Sequence, residues 1–516
     1  MEREWILSVD VGTSSVKAAI FNDQAELVAE QSCGYPLVQP HPGWVEQDPK
    51  DVLQAFKEAI REVLNQVDQK PKVLVLSTAM HALMGLDDQE QPLTRFLTWA
   101  DQRAQKWASQ LRAEQKGLEI YQRTGTPIHA MSSLLKLTWF RESQPELFKQ
   151  VKLWVDLKAY LIHALVGEWL IDESLASATG LYNLKNRMWD EEALAWCGVT
   201  QAQLPRLVKT TDCVGVIGRD LAQRLGLPEN TRIIAGASDG ALANLGVGAV
   251  VPGSLALSIG TSGAARQMVR KPQLDPQGRL FCYVVDHDHY IIGGPINNGG
   301  ILLRWLESLF APEIKTNREL ASSPEQTQNF YEVLNKEVSA VAPGSDGLFC
   351  LPYLTGERAP LWREDVSGSF WGLRLTHTRG HLMRAVLEGI SYQLNSVVKL
   401  LEGLAGPAHE IRATGGFIQS KVWAEILTDI LGSPLGIPKH TQGSALGGAF
   451  LAWYALGQIQ SLEDCAKLIP VTEVKKPNPA YKKRYQSGYA LFKDLIHLGE
   501  TQFEKLNEFA KGGCNK

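Results

Sequence analysis

Charge of one sign, long apolar runs and paired cysteines are all missing from this sequence, and each absence removes a class of function. The 52 basic residues nearly balance the 56 acidic ones, for a formal net charge of -4, and neither sign forms a long run. Nucleic acid and membrane surfaces are therefore not expected partners. No apolar stretch approaches the length that crosses a bilayer. The N-terminus runs Met1-Glu2-Arg3-Glu4 into a short apolar segment, without the basic start or small-residue cleavage site of a signal peptide, so a cytoplasmic protein is expected. The seven cysteines (33, 197, 213, 282, 350, 465 and 514) are scattered, odd in number and never spaced as C-x-x-C. They read as reduced thiols rather than zinc ligands. Neither G-x-x-x-x-G-K-[ST] nor G-x-G-x-x-G occurs, which sets aside the P-loop and Rossmann arrangements.

What is present is enough chain for two lobes. A sequence of 516 residues, 44% hydrophobic and 21% charged, can bury more than one core. Trp5 to Val11 alternates large apolar with small or polar residues, ends in Asp10-Val11-Gly12-Thr13-Ser14-Ser15, and resumes at Val16 to Phe21. This pattern predicts a hairpin with a small-residue turn. It returns at Ser254 to Ile259, Gly260-Thr261-Ser262-Gly263 and Ala264 to Met268. A supersecondary unit repeated half a chain apart is what duplication of a domain would leave. Strands are expected at Val73 to Ser77, Ile233 to Gly236 and Ile411 to Thr414, with helices at Asp51 to Val67 and Lys421 to Leu431. Strands mixed with helices predict an α/β fold. The glycine-rich 246–253 segment is the expected boundary and hinge, near Gly248. The domains are then 1–248, 249–480, and a C-terminal amphipathic helix with a polar tail over 481–516.

The chemistry starts at the first turn. Gly12, Thr13, Ser14 and Ser15 offer backbone N–H groups and hydroxyls to a phosphate without bulky side chains in the way. Asp10 stands at the mouth of that turn, where a carboxylate holds Mg2+ directly or through water. Lys17 is either a point charge for the phosphate or an ordinary surface residue. The repeat at Gly260 and Thr261 gives a second loop of the same kind. Gly415-Gly416, between a strand and a helix, is either a nucleotide contact or simply a tight connection. In Ala235-Gly236-Ala237-Ser238-Asp239-Gly240, small neighbours would let a substrate approach the carboxylate of Asp239. An aspartate there suits a general base that receives the proton of an attacking hydroxyl, and also suits a turn residue bonded to its own backbone.

Several separated strings then resemble one family. They are Asp10-x-Gly-Thr-x-x-x-Lys17, Met131-x-Ser133-x-x-Lys136-Leu137-x-Trp139, Gly368-x-Phe-Trp-Gly372-Leu373 followed by His381-Leu-x-x-Ala-Val-Leu-Glu388, and Gly415-Gly416. In order and over residues 5 to 490, they are similar to the FGGY carbohydrate kinases. The resemblance implies an α/β fold of two actin-like (ribonuclease H-like, ASKHA) lobes related by duplication, with the active site in the cleft between them. It implies sugar held mainly by the first lobe and ATP mainly by the second. Asp239 matches the family's catalytic base and Asp10 the carboxylate near magnesium, which makes Asp10 and Asp239 the candidate metal carboxylates. Thr13, Thr261, Gly300, Gly415 and Gly416 match nucleotide-contacting positions, and Gln419 follows at a variable one. Homodimers are common among such proteins, so a homodimer is the assembly the resemblance suggests.

The partner is expected to be a small-molecule sugar or sugar acid. Ser77-Thr-Ala-Met80-His81-Ala-Leu, Thr98-Trp99-Ala-Asp101-Gln-Arg103, Arg123-Thr-Gly-Thr-Pro-Ile-His129, Gly293-Gly-Pro-Ile-Asn-Asn298-Gly-Gly300 and Gly356-Glu-Arg358-Ala-Pro-Leu-Trp362 look most like bacterial gluconate kinases of this type. Xylulose kinases are the nearest rival, because they share the Met-His pair and the Trp-x-Asp-x-Arg string. A linear sugar acid needs a cation for its carboxylate and polar groups for its hydroxyls. Met80, His81, Trp99, Asp101, Arg103 and Asp239 are the candidate substrate residues. Arg103 is open to a second reading, an internal pair with Asp101, and Trp99 to a place in the core. A reading from another class is an ATP-driven conformational switch or an inactive regulator on an actin-like fold. The intact phosphate turns and Asp239 favour the kinase.

Overall fold

Strand β1 (Ile6–Val11) is buried on both faces: Leu7, Val9 and Val11 enter one core, while Ile6 enters another. The same alternation holds in two parallel neighbours, where Leu74 and Leu76, then Ile233 and Ala235, join the first core, and Val73, Val75 and Ile234 join the second. A sheet apolar on both faces needs a helical layer on each. The computed structural model supplies both layers and describes residues 3–310, 324–439 and 443–510. On one face the helix Pro49–Leu64 packs Val52, Phe56, Ile60 and Val63 into the first core. Burying Phe56 alone contributes about 1.5–3 kcal/mol. Asp48 caps this helix by accepting from Lys50 N, with Pro49 in its first turn. On the other face lies the helix Gly443–Ala455, apolar almost all round through Ala445, Phe450 and Trp453.

Two compact units result, and neither is a single stretch of chain. The first takes Met1–Pro252, Gln267–Ile292 and His440–Pro470; the second takes Gly253–Arg266, Gly293–Lys439 and Val471–Lys516. The first unit's sheet adds β2 (Ser15–Phe21), β3 (Leu27–Gly34), β4 (Val73–Thr78), β5 (Cys213–Val216) and β6 (Arg232–Ser238), in the order β5-β6-β4-β1-β2-β3. β1, β4 and β6 run parallel; β2, β3 and β5 are antiparallel to their neighbours. The hairpin expected from Trp5 to Phe21 is β1 and β2, and the helix expected from Asp51 to Val67 runs from Pro49 to Leu64.

In the second unit, β7 (Ser254–Ile259), β8 (Glu410–Thr414), β9 (Leu435–Pro438) and β10 (Val471–Lys475) follow in that order, the first three parallel. The helix Lys421–Leu431 starts where expected, capped by Ser420 Oγ accepting from Trp423 N. On the helix Arg379–Ala405, the Glu388 carboxyl is buried and accepts from Arg384 Nε, Gly344 N, Ser345 Oγ and the Tyr485 hydroxyl. Tyr485 belongs to the helix Lys482–Ala510, so this network ties the C-terminal helix to its unit. The polar tail expected at 511–516 lies outside the described residues.

Candidate active site

Parallel strands deliver their C-terminal ends to one edge of a sheet, where α/β proteins place their chemistry. In the first unit that edge holds Asp10 on β1, opposite Ser77 on β4, which is in turn opposite Ala237 on β6. Ser77 Oγ donates to Asp10 Oδ1 at 2.6 Å, and Ser444 Oγ donates to Asp10 Oδ2 at 2.6 Å. Burial pushes the carboxyl above its ordinary range, while both hydroxyls act in the opposite sense. Lys17 sits across the ladder from Asp10, half exposed, with its Nζ 3.9 Å from Glu30. It has the position of a surface residue that adds a weak positive field at Asp10.

Ser444 arrives by way of close backbone packing. A Cβ on Gly246 would lie 1.7 Å from Gly443 O, and one on Gly447 would lie 1.8 Å from Leu242 O. Only glycine lets the helices Asp239–Gly246 and Gly443–Ala455 touch main chain to main chain. A Cβ on Gly448 would meet Ser8 Oγ at 2.5 Å, so the second helix also presses on β1.

The turn after β1 is closed by Gly12 N donating to Ser15 O at 2.9 Å. Its carbonyls are held from one side: the Tyr35 hydroxyl donates to Gly12 O, and Gln47 Nε2 donates to Thr13 O at 2.8 Å. Ser14 O accepts from Tyr35 N. Trp99 Nε1 donates to Thr13 Oγ1 at 2.8 Å, which ties the expected sugar residue Trp99 to the expected phosphate residue Thr13.

Of the other sugar candidates, Met80 is half-buried and His81 buried at a positive φ of 68°. The fully buried Lys136 holds this stretch. Its Nζ donates to His81 O, to Thr98 O at 2.8 Å and to Leu97 O at 3.2 Å. Burial pushes the Lys136 ammonium down to about 7. Arg103 is taken up internally, as its second reading had it. It donates to Asp101 through Nε at 2.8 Å and Nη2 at 2.7 Å, and to Glu46 Oε1 at 2.6 Å, with its guanidinium 3.8 Å above the Trp44 ring. Asp101 also accepts from Val45 N. A cavity of about 670 Å³ opens beside Arg103, lined by Trp44, Glu46, Arg95 and Trp139 among others; Met80, His81, Trp99 and Asp101 do not line it.

Asp239 begins the helix Asp239–Gly246, with Ser238 as its cap. The ladder between β6 and β4 slips between Ile234 and Ala237, one extra residue being accommodated on β6. Gly236 makes this bulge possible, with φ at 76° and no room for a Cβ, which would lie 1.7 Å from Leu76 O. Bulges beside sites re-aim the residues that follow. Asp239 Oδ1 accepts from Gly240 N at 2.7 Å.

The second unit assembles the remaining residues at the corresponding edge, since β7 and β8 are parallel and end together at Ser258 and Thr414. Gly300 N donates to Gly260 O at 2.7 Å, and Ile301 N to Thr261 O at 3.1 Å, so the Gly260 turn docks on the start of the helix Ile301–Phe310. Gly415 has φ at 107° and its Cβ would lie 2.2 Å from Ile259 O, which places the two glycine turns in contact. Gly260 and Gly416 face open space, and Gln419 is exposed at the end of the turn. This bare backbone beside a helix start suits a nucleotide's phosphates and base. Asp10, whose two oxygens each take one hydroxyl donor, keeps lone pairs for a hard cation. Asp286, Asp288 and His289 also come close enough for a metal, but Arg270 pairs with Asp288 at 3.0 Å and with Glu463.

Sequence reasoning named neither Ser444 nor Gln47 as site residues. The signal for Ser444 was the spacing of Gly443, Gly447 and Gly448, which marks a helix face made for close contact.

Two family descriptions match the chain: FGGY family of carbohydrate kinases, N-terminal domain, over residues 5–246, and the C-terminal domain of the same family over residues 255–456. A gluconokinase from Bacillus subtilis (strain 168) is 41% identical over 511 residues, covering 98% of each chain. A xylulose kinase from the same organism is 29% identical over 515 residues, covering 98% of this chain and all of the other. Among solved structures, a gluconate kinase from Lactobacillus acidophilus superposes with a TM-score of 0.90 at 34% identity, over 98% of this chain and 100% of that one. A ligand-bound xylulose kinase from Lactobacillus acidophilus gives 0.91, also at 34% identity, over 97% and 99%.

Proposed function

We propose that this chain, which belongs to the FGGY family of carbohydrate kinases, transfers the γ-phosphoryl group of ATP to the terminal hydroxyl of D-gluconate, giving 6-phosphogluconate. The chain is a carbohydrate kinase with the actin-like fold of its relatives, and ATP use follows from the family. The choice of gluconate rests on one observation: over nearly the whole chain the identity is 41% to a gluconokinase and 29% to a xylulose kinase of the same organism. The structural neighbours, equal at 34%, support the family and leave the sugar to this difference.

In this reading Asp239 is the general base. It takes the proton from the attacking hydroxyl as the new O–P bond forms and the bond from the γ-phosphorus to the β,γ-bridging oxygen breaks, leaving ADP. Its place just past a strand end, two residues beyond a bulge lined by small residues, supports the role. Asp10 is the carboxylate for Mg2+, held by Ser77 and Ser444 so that both oxygens keep fixed directions. Magnesium, when bound, supplies positive charge to the phosphoryl oxygens. Thr13, steadied by Trp99 and Gln47, belongs with the phosphates. Met80 and His81, on the segment held by Lys136, belong with the sugar.

The test is ADP release with MgATP and D-gluconate, D-xylulose, L-ribulose, glycerol or no sugar. Gluconate-selective turnover is expected, with Asp239→Asn slower by about 10²–10⁴-fold while nucleotide binding persists. Selectivity for xylulose would discard gluconate and keep the mechanism. Near-normal turnover in D239N would remove the base, and ADP release independent of sugar would favour the conformational switch.

A further inference from the structure

Behind the strand that leads into Asp239 lies an ion pair with no access to solvent. Lys158 Nζ is 2.8 Å from Asp172 Oδ2, both side chains being fully buried, and Lys158 Nζ also donates to Ala237 O at 2.9 Å. Two residues beyond Asp172, Ser174 Oγ accepts from Ser238 N at 3.2 Å and lies 3.0 Å from Ser238 Oγ. Asp172 is itself fixed, because its Oδ1 accepts from Leu175 N and caps the helix Glu173–Ser177. Asp156, the cap of the helix that carries Lys158, accepts from Lys158 N and Ala159 N. The two residues before Asp239 are thus gripped from one side at a carbonyl, an amide and a hydroxyl.

Burying two charges is a costly way to hold a fold together. Each ion loses several kcal/mol of hydration, and well-packed apolar side chains of similar volume often stabilise as well or better. What the ion pair provides is direction: a charged donor at a set distance from one carbonyl, on the strand end already bent by the Gly236 bulge.

We propose that Lys158 and Asp172 are positioning residues for phosphoryl transfer, the buried pair setting the direction in which Asp239 leaves its strand. The proposal rests on the reading of Asp239 as the general base. Lys158 bonds to the carbonyl of Ala237 and reaches the reaction only through Asp239. A misplacement of about 1 Å in a reacting group costs about 10²-fold in rate, so a loosened strand end is visible in turnover.

The experiment compares wild type, Lys158→Met, Asp239→Asn and the double variant, with MgATP and whichever sugar of the panel is turned over. K158M is expected to lower kcat about 10²-fold while KM for MgATP stays within about twofold. In the D239N background the same change is expected to add little, because the group it positions is gone. K158M leaves Asp172 buried and unpaired, so the chain carrying both Lys158→Met and Asp172→Asn is measured too. That chain removes both charges while the asparagine oxygen still caps the helix Glu173–Ser177, and it is expected to recover a melting temperature close to wild type while kcat stays low, which a purely structural pair would not do. A folded variant lacking Lys158 with near wild-type kcat overturns the proposal and leaves the base intact. So does an undiminished effect of K158M in the D239N background. Near-normal turnover in D239N removes the base reading and the proposal with it.

Discussion

The Ser444 hydroxyl donates to Asp10 Oδ2 at 2.6 Å, joining residues 434 positions apart in sequence. This bond favours the ionised carboxylate, so its loss raises the Asp10 carboxyl further above the ordinary carboxylate range. Ser444→Ala is therefore expected to weaken magnesium use, raising the Mg2+ concentration for half-maximal turnover by about tenfold, as for a hydrogen bond to a charged group. A magnesium titration of ADP release checks this. An unchanged midpoint would separate Asp10 from the metal.

Asp10→Asn is expected to abolish turnover and yet stabilise the fold at neutral pH. The folded chain holds the Asp10 proton more tightly than the ordinary value of 3.8, because burial disfavours the charge. Ionisation therefore weakens folding; the penalty starts above 3.8 and is complete once pH exceeds the raised folded value. Asparagine stays neutral and keeps partners for both Ser77 and Ser444. The melting-temperature difference, variant minus wild type, should be positive near pH 8 and shrink as pH falls through the raised folded value towards 3.8. A negative difference at pH 8 would mean that the carboxylate is well accommodated by its hydroxyls.

Lys136→Met tests the sugar side. Three carbonyls, those of His81, Leu97 and Thr98, depend on one ammonium, and the peptides they belong to support His81 and Trp99. Methionine fills the space and leaves these acceptors buried, at about 1–3 kcal/mol for each group left unsatisfied. KM for the sugar is expected to rise at least about tenfold, with KM for MgATP changed less. Equal changes in both constants would show general loosening instead.

The parts read correctly from sequence are those built from neighbouring residues. The two small-residue turns, the strand before Asp239 and the Gly415-Gly416 turn each carry their signal within about ten residues, through alternation and glycine placement. Arg103 was ambiguous because a guanidinium and a carboxylate two residues apart fit an internal pair as well as a ligand site, and only the fold brought Glu46 and Trp44 to them. Ser444 and the Lys158–Asp172 pair were invisible for a different reason. Their partners, Asp10 and Ala237, are distant in sequence, and no local pattern states which helix end or which buried lysine meets which strand. The return of residues 267–292 and 440–470 to the first unit is of the same kind, being decided by packing against Val73, Val75 and Ile234.

Gly236 and Gly416 make a paired test, because one glycine is required by the backbone and the other by open space. Alanine at 236 must adopt φ of 76° with its Cβ 1.7 Å from Leu76 O, so the strand end has to move. Gly236→Ala is expected to destabilise by about 2–5 kcal/mol, the left-handed conformation and the overpacking adding together. Its kcat should fall as well, because Asp239 lies three residues on. Alanine at 416 meets nothing within 4 Å, so Gly416→Ala should leave the urea midpoint unchanged. Its new methyl group instead stands where a nucleotide would lie on bare backbone, and KM for ATP should rise while kcat and KM for the sugar hold. Should G416A leave KM for ATP untouched, the Gly415-Gly416 turn is only a connection between strand and helix. Should G236A fold and keep full kcat, the bulge does not aim Asp239.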